Sequence, residues 1–140
     1  MPEVFTEEWS APCCERLNAS DAYRESAATW EGAIVLVMTA DPAHGVDGDR
    51  AVWIDAHRGS CRDARVATEA DRESAPFVFS ADPATWKRLL GGQMEPVSAV
   101  MQGKLRLLRG GLFTLAKYST AAREMVAAAA EVGGTFPPVP

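Results

Sequence analysis

Apolar residues near the start of the chain recur every four positions, at Phe5, Trp9, Cys13 and Leu17. This spacing places them on one stripe of an α-helix. Pro12 lies inside the stretch, so the helix either bends there or begins there. A second helix is predicted to open at Ser20 and Asp21, because Ser is a favoured N-cap residue and Asp suits the first turn.

The middle of the chain carries four segments with the composition of β-strands, at residues 33–40, 51–56, 61–67 and 77–79. The first is apolar on both faces, as expected of a strand at the centre of a sheet. Residues 57–60 join the second segment to the third and predict a hairpin turn. A fifth strand, half-buried, is predicted at residues 104–107, where polar and apolar residues alternate.

Two short helices and one long helix are predicted in the C-terminal half. Asp82 and Pro83 open the first short helix as cap and first helical residue, and Pro96 opens the second. The long helix is predicted over residues 112–132, followed by an extended tail at residues 135–140. This order predicts a single α+β domain, residues 1–140, in which helices cover a mostly antiparallel sheet.

Composition and charge exclude several classes of protein. With 140 residues, 47% hydrophobic and 24% charged, the chain is long and apolar enough for one globular domain. A net charge of −5 argues against a nucleic-acid partner. Residues 82–125 are locally basic, with seven Lys or Arg against three acids. Those cations either meet a carboxylate or phosphate head group or form an ordinary solvated face.

The sequence gives no sign of export or membrane insertion. Its longest apolar run, residues 32–38, is too short to span a bilayer, and the first residues lack the pattern of a signal peptide. We therefore expect a cytoplasmic protein. Cys13, Cys14 and Cys61 are expected to be free thiols, since adjacent cysteines rarely bridge each other and the cytoplasm is reducing.

No recognisable catalytic or metal motif is present. The nucleophile elbow, the phosphate-binding loop and the dinucleotide fingerprint are all missing. His57 and Cys61 form the one conceivable nucleophile pair, although nothing identifiable orients the histidine and both fit as hairpin residues. We predict no catalytic residue, no metal and no cofactor.

The C-terminal half is instead rich in large apolar residues carried on short helices bounded by Gly and Pro. By pattern alone, ordinary core packing explains this cluster. Segments 81–92 (ADPATWKRLLGG) and 94–105 (MEPVSAVMQGKL), however, resemble the signature of sterol carrier protein type-2 domains. The rest of the chain resembles small single-domain prokaryotic members of that family. The chain departs from it at residues 109–111, where many members have a Gly-Asp step.

The resemblance implies a twisted five-stranded sheet with helices on one side and an apolar cavity between the layers. The expected ligand is a fatty acid, acyl-CoA, sterol or phospholipid, bound and transferred without catalysis. The expected lining is Phe77, Phe79, Trp86, Leu89, Met94, Val97, Val100, Met101, Leu105, Leu107, Leu112, Leu115, Met125 and Val126.

Two other functions stay open. The chain could serve as the accessory subunit of a lipid- or steroid-metabolising enzyme, as the uneven charge would allow, or form a homodimer. It could also be a small thioesterase or acyltransferase that uses Cys61 with His57.

Overall fold

The computed structural model describes residues 1–138, so Val139 and Pro140, the end of the predicted extended tail, lie outside the described residues. Five strands form one sheet in the order β3-β2-β1-β4-β5. β1 pairs in parallel with β4, and the other pairs are antiparallel, which confirms the predicted mostly antiparallel sheet. The strands are β1 Ile34–Met38, β2 Arg50–His57, β3 Ser60–Val66, β4 Phe77–Ala81 and β5 Arg106–Arg109.

Helices precede, interrupt and follow the strands. A 3-10 helix, Pro42–His44, lies in the predicted turn region. The α-helices are α1 Glu7–Asn18, α2 Asp21–Ser26, α3 Glu69–Ser74, α4 Pro83–Leu90, α5 Pro96–Met101, α6 Leu112–Lys117 and α7 Ser119–Val132.

The predicted helix starts at Ser20 and Asp82 are confirmed by their hydrogen bonds. The Ser20 hydroxyl accepts from the backbone N–H of Tyr23 at 3.1 Å, and the Asp82 carboxylate accepts from that of Thr85 at 2.8 Å. α1 begins at Glu7 and contains Pro12 in its interior, so the helix does not begin at the proline.

The predicted hairpin turn is also confirmed. His57 pairs with Ser60, and the two residues between them, Arg58 and Gly59, have φ values of 48° and 84°. Two consecutive positive φ values match the twist of the strands that they join. A side chain at Gly59 would also meet the backbone of α2, since its Cβ would lie 2.5 Å from the carbonyl oxygen of Arg24.

The single long helix predicted over residues 112–132 is wrong, because the chain breaks at Tyr118 into α6 and α7. Tyr118 has φ −111° and ψ 30°, outside helical geometry. Its ring lies edge-on to that of Trp30 with centroids 4.8 Å apart, and its hydroxyl hydrogen-bonds to Thr29 at 2.9 Å. These tertiary contacts hold the residue out of a continuous helix, against the helical propensity of the local sequence.

α3 was not predicted at all. It has no apolar stripe, and none of its residues is buried. It is stabilised at its start by a reciprocal capping box, in which Thr68 and Asp71 each accept the other's backbone N–H. Such a helix is visible in the sequence only through its caps.

The expectation of three free thiols is wrong for two of them, because Cys14 and Cys61 form a disulfide with their Cα atoms 5.1 Å apart. Successive residues on a helix point about 100° apart. Cys14 therefore faces β3 while Cys13 is buried and free. Asn18 fixes the docking of α1, since its side-chain amide donates to the Cys61 carbonyl at 2.9 Å and accepts from the Cys61 N–H at 2.8 Å.

The two faces of the sheet have separate cores, which follows from the period-2 alternation of side chains along a strand. The helix face packs against every α-helix except α3 and includes Ile34, Leu36 and Phe79. The α3 face carries a small core, which consists of Val35, Val37, Ala51, Ala75 and Val78. We use these two names below.

Candidate apolar binding site

An apolar cavity of about 70 Å³ lies on the helix face, between the sheet and the helices. Its floor comes from three adjacent strands and consists of Ile34, Leu36, Val52, Ile54 and Phe79. Leu36 pairs in register with Val52 on β2 and with Phe79 on β4, so these three side chains form one row across the floor. The register of the sheet thus determines which side chains reach the cavity.

The walls and roof come from both ends of the sequence. The N-terminal part contributes Phe5, Trp9, Ser10, Cys13, Leu17, Tyr23, Ala27 and Trp30. The C-terminal part contributes Trp86, Leu89, Leu90, Pro96, Leu105, Leu115, Tyr118, Ala121, Ala122, Met125, Val126 and Ala129.

The burial of Leu36 independently supports an unfilled space at this point. Leu36 lies in the middle of the central strand, where Val35 and Val37 are 0% and 1% exposed. Leu36 nevertheless is only partly buried. A residue under a complete helical layer keeps accessible surface only if the packing above it is incomplete.

The lining presents almost no polar atom to this space. Trp30 donates its indole N–H to the Gly32 carbonyl at 2.8 Å, and Trp86 donates to that of Val37 at 2.9 Å. The Ser10 hydroxyl and the Cys13 thiol donate to backbone carbonyls one turn earlier in α1. Because these groups already donate hydrogen bonds to backbone carbonyls, the cavity suits a hydrocarbon and not a polar group.

Burial also favours the neutral form of two lining residues, Cys13 and Tyr23. Desolvation raises the pKa of the Cys13 thiol to about 12 and that of the Tyr23 hydroxyl to about 12. None of the lining residues is an acid, a lysine or an arginine. A charged head group would therefore find no counter-ion inside the cavity, and it would stay at the surface.

The cavity approaches the surface along one side of α7. Ala122 and Val126 lie one helical turn apart, and both are only partly buried, as are Leu90 at the end of α4 and Tyr118 before α7. These four residues line the cavity and reach solvent. An apolar chain could enter between α4 and α7 with its polar end left outside.

Half of the fourteen predicted lining residues border the cavity: Phe79, Trp86, Leu89, Leu105, Leu115, Met125 and Val126. Five more belong to the same hydrophobic core without lining the cavity: Phe77, Met94, Val97, Val100 and Leu107. Met101 and Leu112 lie at the surface, 73% and 44% exposed.

The prediction missed the N-terminal wall. Phe5 stacks on Trp9 with ring centroids 5.2 Å apart and contacts Trp86 of α4 at 5.0 Å. The four-residue stripe of α1 carried this signal, since an apolar stripe must pack against something. The sequence did not show that it packs over the same space as α4 and α7.

The other chemical candidates do not form a site. Cys61, the candidate nucleophile, has its sulfur in the bond to Cys14 and so carries no thiol. Among residues 1–138, no three His, Cys, Asp or Glu side chains cluster as a metal site would require. Over the same residues, no helix has the length and apolar character to cross a membrane.

Comparisons with known proteins agree with this geometry. A model of the SCP-2 sterol transfer family matches residues 14–123. The chain is 43% identical to a protein whose crystal structure is described as sterol carrier protein 2, over 92% of this chain and 98% of that one, with a TM-score of 0.83. It is also 43% identical to a protein from Thermus thermophilus described as conserved, hypothetical and possibly a sterol carrier protein. That match covers 96% of this chain and 93% of the other, with a TM-score of 0.85.

A more distant structure shares the fold alone. Sterol carrier protein 2 from Yarrowia lipolytica, in its apo form, is 15% identical over 84% of this chain and 85% of that chain, with a TM-score of 0.57. A search of curated proteins gives no significant match.

Proposed function

Because the chain belongs to the SCP-2 sterol transfer family, we propose that it binds a lipid by its hydrocarbon chain in the apolar cavity and carries it unchanged. The observation that carries the proposal is a cavity on the helix face whose lining presents almost no polar atom. Burial of about 14 methylenes at roughly 0.8 kcal/mol each gives on the order of 11 kcal/mol before costs. Association costs of several kcal/mol leave roughly micromolar affinity.

The size of the cavity favours a flexible acyl chain as the ligand. At about 70 Å³ it is smaller than the roughly 150 Å³ apolar cavity that accepts benzene. A long chain therefore enters only if side chains or helices move. Met125 on α7 has an adaptable side chain, and α4 and α5 are short helices with Gly91 and Gly92 between them. A linear chain can displace such groups one after another, whereas a rigid sterol must displace several at once.

Two observations support a carrier without catalysis. Cys61, the nucleophile that the sequence offered together with His57, is bound to Cys14. The cavity itself holds no acid, no histidine and no lysine that could transfer a proton to a bound lipid.

Two neighbouring alanines of α7 allow a direct test. Ala129 lines the cavity, whereas Ala128 is equally buried without lining it. In Ala129→Leu the added carbons occupy the cavity, so we expect fluorescent fatty-acid binding to weaken at least tenfold, with thermal stability kept or raised. In Ala128→Leu the added carbons overpack the core and destabilise the fold by about 1–3 kcal/mol. The affinity of its folded fraction should stay unchanged.

Two outcomes of these binding titrations would contradict the proposal. Wild-type protein that binds no fluorescent fatty acid, or Ala129→Leu protein that binds it as tightly as wild type, contradicts the proposal. Native mass spectrometry of the purified protein, followed by organic extraction, identifies which lipid is carried.

Two finer predictions stay untested. A role as the accessory subunit of a lipid-metabolising enzyme predicts a fixed protein partner, which a pull-down from the native host would detect. A cytoplasmic location stays a prediction as well, and the Cys14–Cys61 bond bears on it, since disulfides seldom persist in reducing compartments.

A further inference from the structure

α6 places large apolar side chains in solvent directly outside the cavity. Phe113 is 89% exposed and Leu112 is 44% exposed, both in the first turn of this helix. Leu115 on the inner side of the same helix is 2% exposed and lines the cavity. One short helix thus separates an exposed apolar patch, Leu112 and Phe113, from the proposed lipid site. Contiguous exposed apolar surface beside polar residues is a feature of interaction sites.

The chain segment that contains α6 is positively charged, although one of its cations, Arg109, donates to the Arg72 and Ala75 carbonyls at the end of α3. Residues 96–123 contain no acid and five cations, in a chain whose net charge is −5: Lys104, Arg106, Arg109, Lys117 and Arg123. Six of the seven cations before residue 82 form ion pairs with carboxylates. Within residues 1–138, no ion pair involves any of the five cations of the 96–123 segment.

Lys117 completes the patch on α6 itself. It lies four residues after Phe113, so both side chains project from the same side of the helix. Among residues 1–138, no carboxylate forms an ion pair with Lys117. The surface that contains Leu112, Phe113 and Lys117 therefore combines exposed apolar side chains with an unpaired cation.

We propose that α6 docks the protein on an anionic phospholipid bilayer, with Leu112 and Phe113 at the boundary of head groups and acyl chains and Lys117 among the phosphates. The inference rests on the proposed function, and it adds the surface from which the lipid is collected. Apolar side chains beside cations are the combination that binds anionic membrane surfaces. A symmetric contact between two copies is disfavoured, because it would bring two positively charged segments together.

The position of α6 links docking to loading. Gly110 and Gly111 precede the helix, and the non-helical Tyr118, which also lines the cavity, follows it. With Phe113 in the bilayer, the opposite side of α6 faces the cavity through Leu115. Tyr118, the residue after α6, belongs to the opening between α4 and α7, so docking by α6 would hold that opening close to the bilayer.

Sedimentation of the full chain with vesicles tests the proposal. Wild type should bind vesicles of phosphatidylcholine with about a third phosphatidylglycerol, bind pure phosphatidylcholine far more weakly, and release as salt rises. Phe113→Ser should weaken binding roughly tenfold, and Lys117→Glu should do so by a similar factor. Both side chains lie at the surface, so both variants should fold, which circular dichroism confirms.

Leu108→Ser supplies the matched control. Leu108 is 57% exposed, but it lies on the α3 face beside Glu69 and Glu73. Its replacement removes another exposed apolar residue and should leave vesicle binding unchanged. Binding of a soluble fluorescent fatty acid, measured without vesicles, should be the same in all three variants. If wild type binds no such probe, the proposed function fails instead, and this readout separates the two failures.

Three results would overturn the docking proposal: no binding of wild type to anionic vesicles, undiminished binding by Phe113→Ser, or an equal loss in Leu108→Ser. A wild type that sediments as a dimer, and that Phe113→Ser converts to a monomer, would also overturn it. In that case the patch is an interface between two copies of the chain.

Discussion

The two faces of the one sheet are built from different residues and closed in different ways. On the α3 face, small side chains such as Val35, Val37 and Ala51 pack into a core that contributes nothing to the lining of the apolar cavity. On the helix face, large side chains such as Leu36 and Phe79 meet the rings of several helices, and a cavity remains. Protein interiors are normally close-packed, so an apolar void beneath the helices sets the helix face apart from an ordinary core.

The two faces also differ in their use of charge. On the α3 face, the guanidinium of Arg65 lies 4.2 Å from the centroid of the Trp53 ring and pairs with Asp71 at the start of α3. The lining of the cavity on the helix face contains no charged residue. Electrostatic contacts therefore help to stabilise the α3 face. The helix face is held by apolar contacts around a cavity, and this apolar environment is the one that suits a lipid.

The largest expected difference concerns one tryptophan on each face. Trp86 is 2% exposed, borders the cavity and donates to the Val37 carbonyl. Trp86→Ala should lower the free energy of unfolding by about 3–5 kcal/mol. Trp53 is only partly buried and lies under Arg65, so Trp53→Ala should lower the free energy of unfolding by only about 1–2 kcal/mol. Urea unfolding measures both, and equal losses or the reverse order would contradict the proposed difference between the faces.

Removing the disulfide should have the next largest effect, and it should act on the helix face. The bond joins α1, whose inner side lines the cavity, to β3 across 47 residues. A loop of that length predicts a loss of up to about 4 kcal/mol on reduction, or in the double variant Cys14→Ser with Cys61→Ser. Urea unfolding with and without reductant measures it.

Mass spectrometry after alkylation provides the control for this prediction. Protein unfolded without reductant should take up one alkyl group, on Cys13, and three after reduction. Three groups without reductant would show that all the cysteines are free, as the sequence alone suggested.

Acid should weaken the α3 face selectively. The side-chain hydrogen bond from Arg65, with backbone bonds at Thr68, lowers the pKa of Asp71 from 3.8 to about 2. A carboxyl group whose pKa is depressed by folding stabilises the fold above its unfolded pKa and loses that contribution as pH falls toward its folded pKa. Asp71→Asn should therefore cost about 1–2 kcal/mol at pH 7, and the difference from wild type should shrink between pH 4 and about pH 2.

Asp63→Asn is the control for the acid experiment. Its carboxylate is 3.9 Å from Arg65 with 60% of its side chain exposed, so the change should cost less than about 0.5 kcal/mol. Fatty-acid binding at pH 7 should be unaffected in either variant. A pH-independent difference between Asp71→Asn and wild type would contradict the assignment.

The smallest expected effect concerns the rate at which the Cys13 thiol is alkylated. It involves no change in the stability of the protein. With its pKa raised to about 12 and its side chain buried in the cavity wall, this thiol should react with an alkylating reagent far more slowly at pH 8 than in unfolded protein. A bound fatty acid should slow it further, because the cavity is then filled. Labelling as fast as in urea would contradict the burial of this side chain.

Many individual helices, strands and turns could be predicted from the sequence, because the period of apolar residues and the turn and cap residues act locally. The central strand, the hairpin at Arg58 and Gly59, and the capped start of α4 at Asp82 all follow from side-chain period and turn chemistry. Three features could not be predicted this way. The break at Tyr118 depends on Trp30 and Thr29, which are distant in sequence, and the disulfide depends on how α1 docks on β3.

The third such feature is the cavity. Apolar residues that line a cavity and apolar residues that fill a core have the same pattern in a sequence. Phe77 and Phe79 are neighbours on one strand face, yet only Phe79 borders the cavity. The N-terminal wall was missed for the same reason, since nothing in the sequence places the rings of Phe5 and Trp86 in contact.

The most direct test is a methyl NMR titration of the protein with palmitate. We expect shifts and intermolecular contacts at cavity methyls such as those of Leu36, Leu89 and Met125. We expect none at Val35 and Val37, whose side chains face the other way on the same strand. Perturbation of the valines to the same extent, or no contact at the cavity methyls at saturating palmitate, would contradict the claim that the helix face opens to hold a lipid.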